Sequence, residues 1–178
     1  MRHDLIRHPA VSSAIVGVTV EAERGKAGIL HLRYAVADPM GAMLLLARGE
    51  AVRTDGLWRR TCFEAFLRAP GAEGYVELNL SPSGAWAAYR FEGYRAGMAD
   101  AGPLATPGIE VMHTPAGFDL SATVDLSGLA ELPAAGPWRL GLSAVIEAGA
   151  DGLSYWALAH PPGAADFHHA AGFVVELG

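Results

Sequence analysis

Three stretches of the chain carry acidic, amide and guanidinium groups on the polar positions of a period-two pattern. Thr61–Arg68 sets Cys62, Glu64, Phe66 and Arg68 against Phe63, Ala65 and Leu67. Tyr75–Ser81 sets Tyr75, Glu77, Asn79 and Ser81 against Val76, Leu78 and Leu80, and Ala85–Glu92 contributes Trp86 and Arg90. If the three form a meander with Phe63, Val76, Leu78 and Phe91 in the core, alternation puts Glu64, Glu77, Asn79, Trp86 and Arg90 on one sheet face. Planar carboxylate, amide and guanidinium groups hydrogen-bond pairs of hydroxyls, and an aromatic ring stacks on the C–H face of a sugar. The plain alternative is a solvated face with cross-strand Glu–Arg pairs, each contributing a few tenths of a kcal/mol. Trp58 tips the balance toward a ligand. It sits in the loop Thr54–Arg60 with no evident core position, as a lid or a stacking platform.

Other chemistries find little support. There is no Gly-x-Ser-x-Gly elbow, no phosphate-cradling loop and no His-Glu-x-x-His. The single lysine, Lys26, lies in a Gly-flanked turn, and the single cysteine, Cys62, reads as a small buried residue, since no histidine is placed beside it. His160, Asp166 and His168, with His169, supply metal-ligand types, but their spacing matches no metal loop. They stay candidates, with a solvated or capping loop as the alternative. The 178 residues carry 13 basic and 19 acidic side chains, a net charge of -6, which argues against nucleic acid as a partner. The longest apolar run, around Met43–Ala47, is far too short to span a membrane as a helix. Arg2 and Arg7 are interrupted by Asp4 and Pro9, so the N-terminus does not read as a signal peptide and cytoplasm is the default expectation.

The elements that must position these residues are strands. Alternation recurs in Ala14–Val20, Ile29–Ala37, Phe118–Asp125, Trp138–Glu147, Leu153–Ala159 and Gly172–Leu177, separated by turn clusters such as Thr114-Pro115-Ala116-Gly117 and Ala150-Asp151-Gly152. About ten strands at this spacing predict one all-β domain over residues 1–178, an antiparallel β-sandwich in two sheets with little helix. One short helical turn is expected at Asp125–Leu132. Glu92–Pro107, rich in Gly and Ala and without periodicity, reads as a long loop, a kind of segment that in a compact domain is often functional.

Leu57-Trp58-Arg59-Arg60-Thr61-Cys62-Phe63-Glu64, then Tyr75-Val76-Glu77-Leu78-Asn79-Leu80-Ser81-Pro82, then Trp86 and Tyr89-Arg90-Phe91 resemble the DOMON-like superfamily. That group includes the family 9 carbohydrate-binding modules and small bacterial stand-alone proteins. Tyr155-Trp156-Ala157-Leu158-Ala159-His160-Pro161 and Asp166–Phe173 are similar to the closing segment of the stand-alone group, and the matching stretches cover about half the chain. The resemblance implies a β-sandwich that holds a sugar or haem. Trp58 and Glu64 would contact the saccharide, Arg90 would assist, and Trp156 or Trp86 would form a second wall. For haem, Met98, Met112, His113 and His160 are available as ligands without a matching spacing. No cofactor is expected, with haem and calcium left open. The resulting expectation is a non-catalytic module binding a saccharide or sugar-like small molecule through Trp58, Glu64, Asn79, Trp86, Arg90 and Trp156. Three alternatives stand beside it: a glycosidase-like enzyme using Glu64 and Glu77, a haem-binding domain, and an interaction module, compatible with a homodimer, docking through Trp58 and Phe66.

Overall fold

Alternation becomes strand wherever one side chain in two can be buried, and every pairing between strands is antiparallel. The computed structural model describes residues 1–178, the side chain of Ala150 excepted. Its strands are β1 (Arg2–Arg7), β2 (Gly17–Arg24), β3 (Ile29–Ala37), β4 (Cys62–Arg68), β5 (Tyr75–Leu80) and β6 (Trp86–Phe91). They continue as β7 (Ala99–Asp100), β8 (Gly108–Thr114), β9 (Gly117–Asp125), β10 (Trp138–Ala148), β11 (Gly152–Ala157) and β12 (Val175–Leu177). The spatial order is β7-β6-β5-β4-β10-β11-β1-β2-β3-β9-β8, with β12 added to β10. This path curls on itself, so β1-β2-β3-β9-β8 forms one layer and β7-β6-β5-β4-β10-β11 the other, and β1 pairs with both. The result is the expected β-sandwich.

Between the layers lies one apolar core. Val18, Val20, Leu30, Leu32, Tyr34, Leu120 and Val124 come from the first layer, and Phe63, Leu67, Leu78, Leu80, Leu140 and Leu142 from the second. The second layer is also covered on its outer face, where Phe66, Tyr75, Ala87, Tyr89, Phe91 and Phe173 form a separate cluster with Leu57 and Phe167 against it. All six residues of β5 are buried. A strand buried on both faces loses the clean alternation of a half-wet one, and this matters for the site below.

Some expectations shift. Asp125–Leu132 is a series of turns rather than a helix: Asp125 Oδ1 accepts from the Ser127 amide at 3.0 Å and from its hydroxyl at 2.6 Å, an Asx turn that diverts the backbone. Helix is confined to four short 3₁₀ segments, at Lys26–Gly28, Leu57–Arg59, Gly149–Asp151 and Ala170–Gly172. The last of these replaces the start of the strand expected at Gly172–Leu177. Arg2–Arg7 forms a strand that its charged sequence concealed, because only Leu5 in it is buried.

The β8–β9 hairpin is closely set against the neighbouring strand β3. Gly117 has φ +148°, and a Cβ there would lie 2.0 Å from the Val36 carbonyl oxygen. Gly117→Ala is therefore expected to cost about 3 kcal/mol or more in chemical denaturation. Gly128→Ala, at a position with open space around it, is expected to stay within about 1 kcal/mol of neutral. Equal stabilities for the two variants would refute this account of the hairpin.

Candidate functional site

The register fixes which side chains share the outer face of the second layer. Glu64 stands opposite Asn79 on β5 and Ser143 on β10. Phe66 faces Glu77, and Glu77 faces Tyr89 on β6. Val145 is opposite both Cys62 and Tyr155. Because partners in register lie on one face, Glu64, Glu77, Asn79, Tyr89, Phe91, Ser143, Val145 and Tyr155 all point away from the core. Glu64 and Glu77 are diagonal neighbours across β4 and β5.

Three loops close over this face. The β3–β4 connection turns at Gly56, which takes φ +77°, into the 3₁₀ turn carrying Trp58. Asp55 accepts from the Tyr89 hydroxyl at 2.6 Å, and the Trp58 indole meets the Tyr89 ring edge-on at 6.2 Å. The β6–β7 loop supplies Arg95 and Met98. The chain between β11 and β12 lays Ala165, Phe167 and His168 across the top. Its Asp166 accepts from Arg95 Nη2 at 2.8 Å, from the His168 amide at 3.1 Å and from the Tyr94 hydroxyl. His168 itself packs edge-on against Phe66 and Phe91, with ring centroids 5.1 and 5.2 Å away.

Between these loops and the sheet remains a cavity of about 350 Å³. Glu64, Glu77 and Val145 form its floor, Phe91 and Tyr155 its sides, and Ala165, Phe167 and His168 its roof; Trp58, Arg95 and Met98 stand at the rim. Trp58 is 38% exposed, whereas Glu64 and Glu77 are only 3% and 5% exposed.

Two carboxylates so placed cannot both ionise freely. Burial, and then the charge of Glu77, push the Glu64 carboxyl well above the usual carboxylate range, against one hydrogen bond from Ser143 at 3.3 Å. Burial raises Glu77 to about 7, although Asn79 donates to its Oε1 at 2.6 Å and Arg95 lies nearby. The pair therefore retains a proton near neutral pH, and that proton belongs to both groups. Burial, reinforced by Arg95, lowers His168 to about 4, so its ring is neutral and its 3.8 Å approach to Glu77 is not an ion pair. The Tyr75 hydroxyl and His168 Nδ1 share a hydrogen bond at 2.7 Å, and the other ring nitrogen, Nε2, is turned toward Glu77 Oε2 at 3.8 Å.

Of the residues expected from sequence, Trp58 and Glu64 line the cavity, and Glu77 lines it beside them. Asn79 is fully buried beneath and acts by holding Glu77. Trp86, Arg90 and Trp156 lie on the other face and do not line the cavity. The register puts Trp86 opposite Leu80, Arg90 opposite Val76 and Trp156 opposite Ala144, all on the core-facing side. Trp86 and Trp156 are core residues, and Arg90 is exposed at the strand end. For Trp86 and Arg90 the reason lies in β6. Both faces of that strand carry apolar residues, so pattern alone does not assign Phe91, and the register puts it on the site face.

The guanidinium comes instead from Arg95, and the further rings from Phe91, Tyr155 and Phe167. Arg95 lies in the Gly-rich loop after β6, and nothing in the pattern of that loop singles it out. Phe66, considered as an exposed contact, is 1% exposed. His160, Asp166 and His168 do not assemble a metal site: His160 Nε2 bonds the Ile6 carbonyl at 2.8 Å, Asp166 holds Tyr94 and Arg95, and His168 faces Tyr75. No group of three potential metal-ligating side chains occurs among the described residues.

No family model matches the chain, and no curated protein matches it in sequence. Solved structures do. A protein from Bacteroides uniformis ATCC 8492 to which carbohydrate binding has been ascribed superposes with a TM-score of 0.68 at 13% identity, covering 99% of this chain and 85% of that one. A family 9 carbohydrate-binding module from Caldicellulosiruptor kristjanssonii, in complex with glucose, gives 0.53 at 12% identity over 97% of this chain and 83% of that chain. Its cellotriose complex gives 0.54 at 12% identity over 97% and 81%. The fold is that of the family 9 carbohydrate-binding modules. At these identities the likeness speaks for the architecture alone.

The buried pair makes stability depend on pH. A carboxyl held above its unfolded value binds more protons in the folded state, so its contribution is present below about pH 4.5 and lost as pH rises through about 7. His168, lowered from 6.5 to about 4, works the other way between those values, and the two trends oppose each other until the imidazole is neutral in the unfolded chain as well, above about 6.5. Above that point the carboxyls dominate. Glu77→Gln is accordingly expected to match the parent stability near pH ~4 and to exceed it by on the order of 3 kcal/mol near pH ~8. Urea denaturation at both pH values checks this, and a difference that does not change with pH contradicts it.

Proposed function

We propose that this chain is a DOMON-like, non-catalytic binding module that takes a saccharide or sugar-like small molecule in the Glu64–Glu77 cavity. The observation that carries the reading is the pair of buried carboxylates at the floor of a hollow with aromatic rings at its sides and mouth. Each carboxylate accepts only one hydrogen bond within the protein among the described residues, leaving acceptor positions for hydroxyl donors. A half-exposed indole at the rim is suited to stack on a pyranose face. The cavity volume, about 350 Å³, is at the small end of ligand sites and suits one or two rings rather than a long chain. The glucose and cellotriose complexes of structures sharing this fold agree in ligand class.

A second reading has one specific observation behind it. Glu77 near 7 is poised for proton transfer at neutral pH, so Glu64 and Glu77 would serve as an acid–base pair on a sugar. The same panel decides between the two. Calorimetric titration with mono- and oligosaccharides is expected to show binding without turnover, weakened about tenfold, roughly 1.4 kcal/mol, in Trp58→Ala. Product formation that Glu77→Gln abolishes would establish an enzyme instead. The absence of binding to any saccharide would remove the sugar reading.

A further inference from the structure

The charges around the cavity do not balance. Glu64 and Glu77 rise from β4 and β5, and no lysine or arginine pairs with either among the described residues. Arg95 at the rim is committed to Asp166, and His168 in the roof is neutral. Around them, Tyr75 on β5 is tied to His168, Tyr94 to Asp166, and Tyr89 to Asp55. Farther along β10, Glu147 is engaged by Arg60. The Cys62 thiol beneath is kept protonated by burial and by the charge of Glu64. Two acids therefore border one hollow whose rim cation, Arg95, is already paired with Asp166. Glu64 Oε1 and Glu77 Oε2 accept no hydrogen bond from the protein among the described residues. Trp58, Phe91, Tyr155 and Phe167 border the same space, and the negative faces of such rings favour a cation as well.

We infer that the ligand carries a protonated primary amine, as an amino sugar does, and that its ammonium group sits between Glu64 and Glu77. This rests on the saccharide reading of the same cavity and narrows its ligand class. A primary ammonium fits better than a quaternary one, because the two free carboxylate oxygens need N–H donors, which only the former supplies. The arriving cation takes over the role of the proton the pair holds, and that proton leaves to solvent. Binding of a neutral sugar has no such exchange.

Calorimetry near neutral pH, in two buffers of different ionisation enthalpy, tests this with glucose, glucosamine, N-acetylglucosamine and cyclohexylamine. Glucosamine is expected to bind at least about tenfold more tightly than glucose or N-acetylglucosamine, with release of up to about one proton. Glu77→Gln is expected to remove the proton release and to weaken glucosamine more than glucose. Glu64→Gln, read the same way, covers the case in which the first variant repacks around Asn79. Equal binding of glucose and glucosamine without proton exchange overturns the inference and leaves the sugar module standing. Binding of cyclohexylamine with none of the sugars upholds the ammonium site and removes the saccharide reading. Silence with all four overturns both.

Discussion

The burial of two acids side by side on a sheet face is the constraint that organises the rest of this structure. Removing a charge from water costs several kcal/mol unless it is paired or protonated. Here the cost is held down by keeping a proton on the pair and by one protein donor to each acid, Ser143 to Glu64 and Asn79 to Glu77. The backbone beneath is fixed independently: the buried Tyr34 hydroxyl donates across the core to the Glu64 carbonyl at 2.7 Å. Both acids thus sit on strands whose register is set from behind by Phe63, Leu78 and Leu142, while the carboxyls face the hollow. Such an arrangement stabilises the fold less than apolar residues would, which is why it belongs to a site and not to the core.

What roofs the acids is the segment between β11 and β12, and it is held at three points. His160 and His8 meet edge-on at 4.9 Å, with His160 bonded to the Ile6 carbonyl and His8 to the Gly163 carbonyl at 3.1 Å, pinning its start to β1. In the middle, Asp166 ties Tyr94 and Arg95 of the opposite loop to the roof. At its end, Gly141 on β10 lets Gly172 approach, since a Cβ at 141 would lie 3.2 Å from the Gly172 carbonyl. The late histidines and the aspartate, which as a composition suggest a metal, are clamps. His169 follows suit by accepting from the Ala171 amide at 3.2 Å.

The strands were legible in the sequence because most have one wet face. Ile29–Ala37 alternates cleanly and forms over the same residues, and the meander of β4, β5 and β6 follows from three consecutive alternating runs. The site was half legible for a related reason. Glu64, Glu77 and Asn79 stood out because polar groups interrupt an apolar strand, and such groups are buried only for cause. Orientation on β6 was not legible. In Trp86-Ala87-Ala88-Tyr89-Arg90-Phe91 both faces carry large aromatic residues, so pattern cannot say which is the core, and the side taken by Trp86 and Arg90 follows only from the register. Arg95, Phe167 and His168 reach the cavity through loop closure, which depends on contacts spanning much of the chain, such as Asp166 with Tyr94. No local pattern encodes these.

That division between floor and rim also bears on specificity. The acids are carried by paired strands, whose side chains cannot be redirected without breaking the ladder. Trp58, Arg95 and Met98 are carried by loops, where related chains can differ while the sheet is conserved in shape. Arg95 shows that the rim is nonetheless held to a particular geometry. It takes φ +53°, a left-handed conformation unfavourable for a residue with a side chain. Its amide is drawn to the Tyr75 hydroxyl at 3.3 Å and its guanidinium to Asp166. Strain of this kind persists only where surrounding contacts outweigh it. Asp166 thus fixes the rim guanidinium in place above the acids, where Arg95 favours the ionised form of Glu77 while burial opposes it.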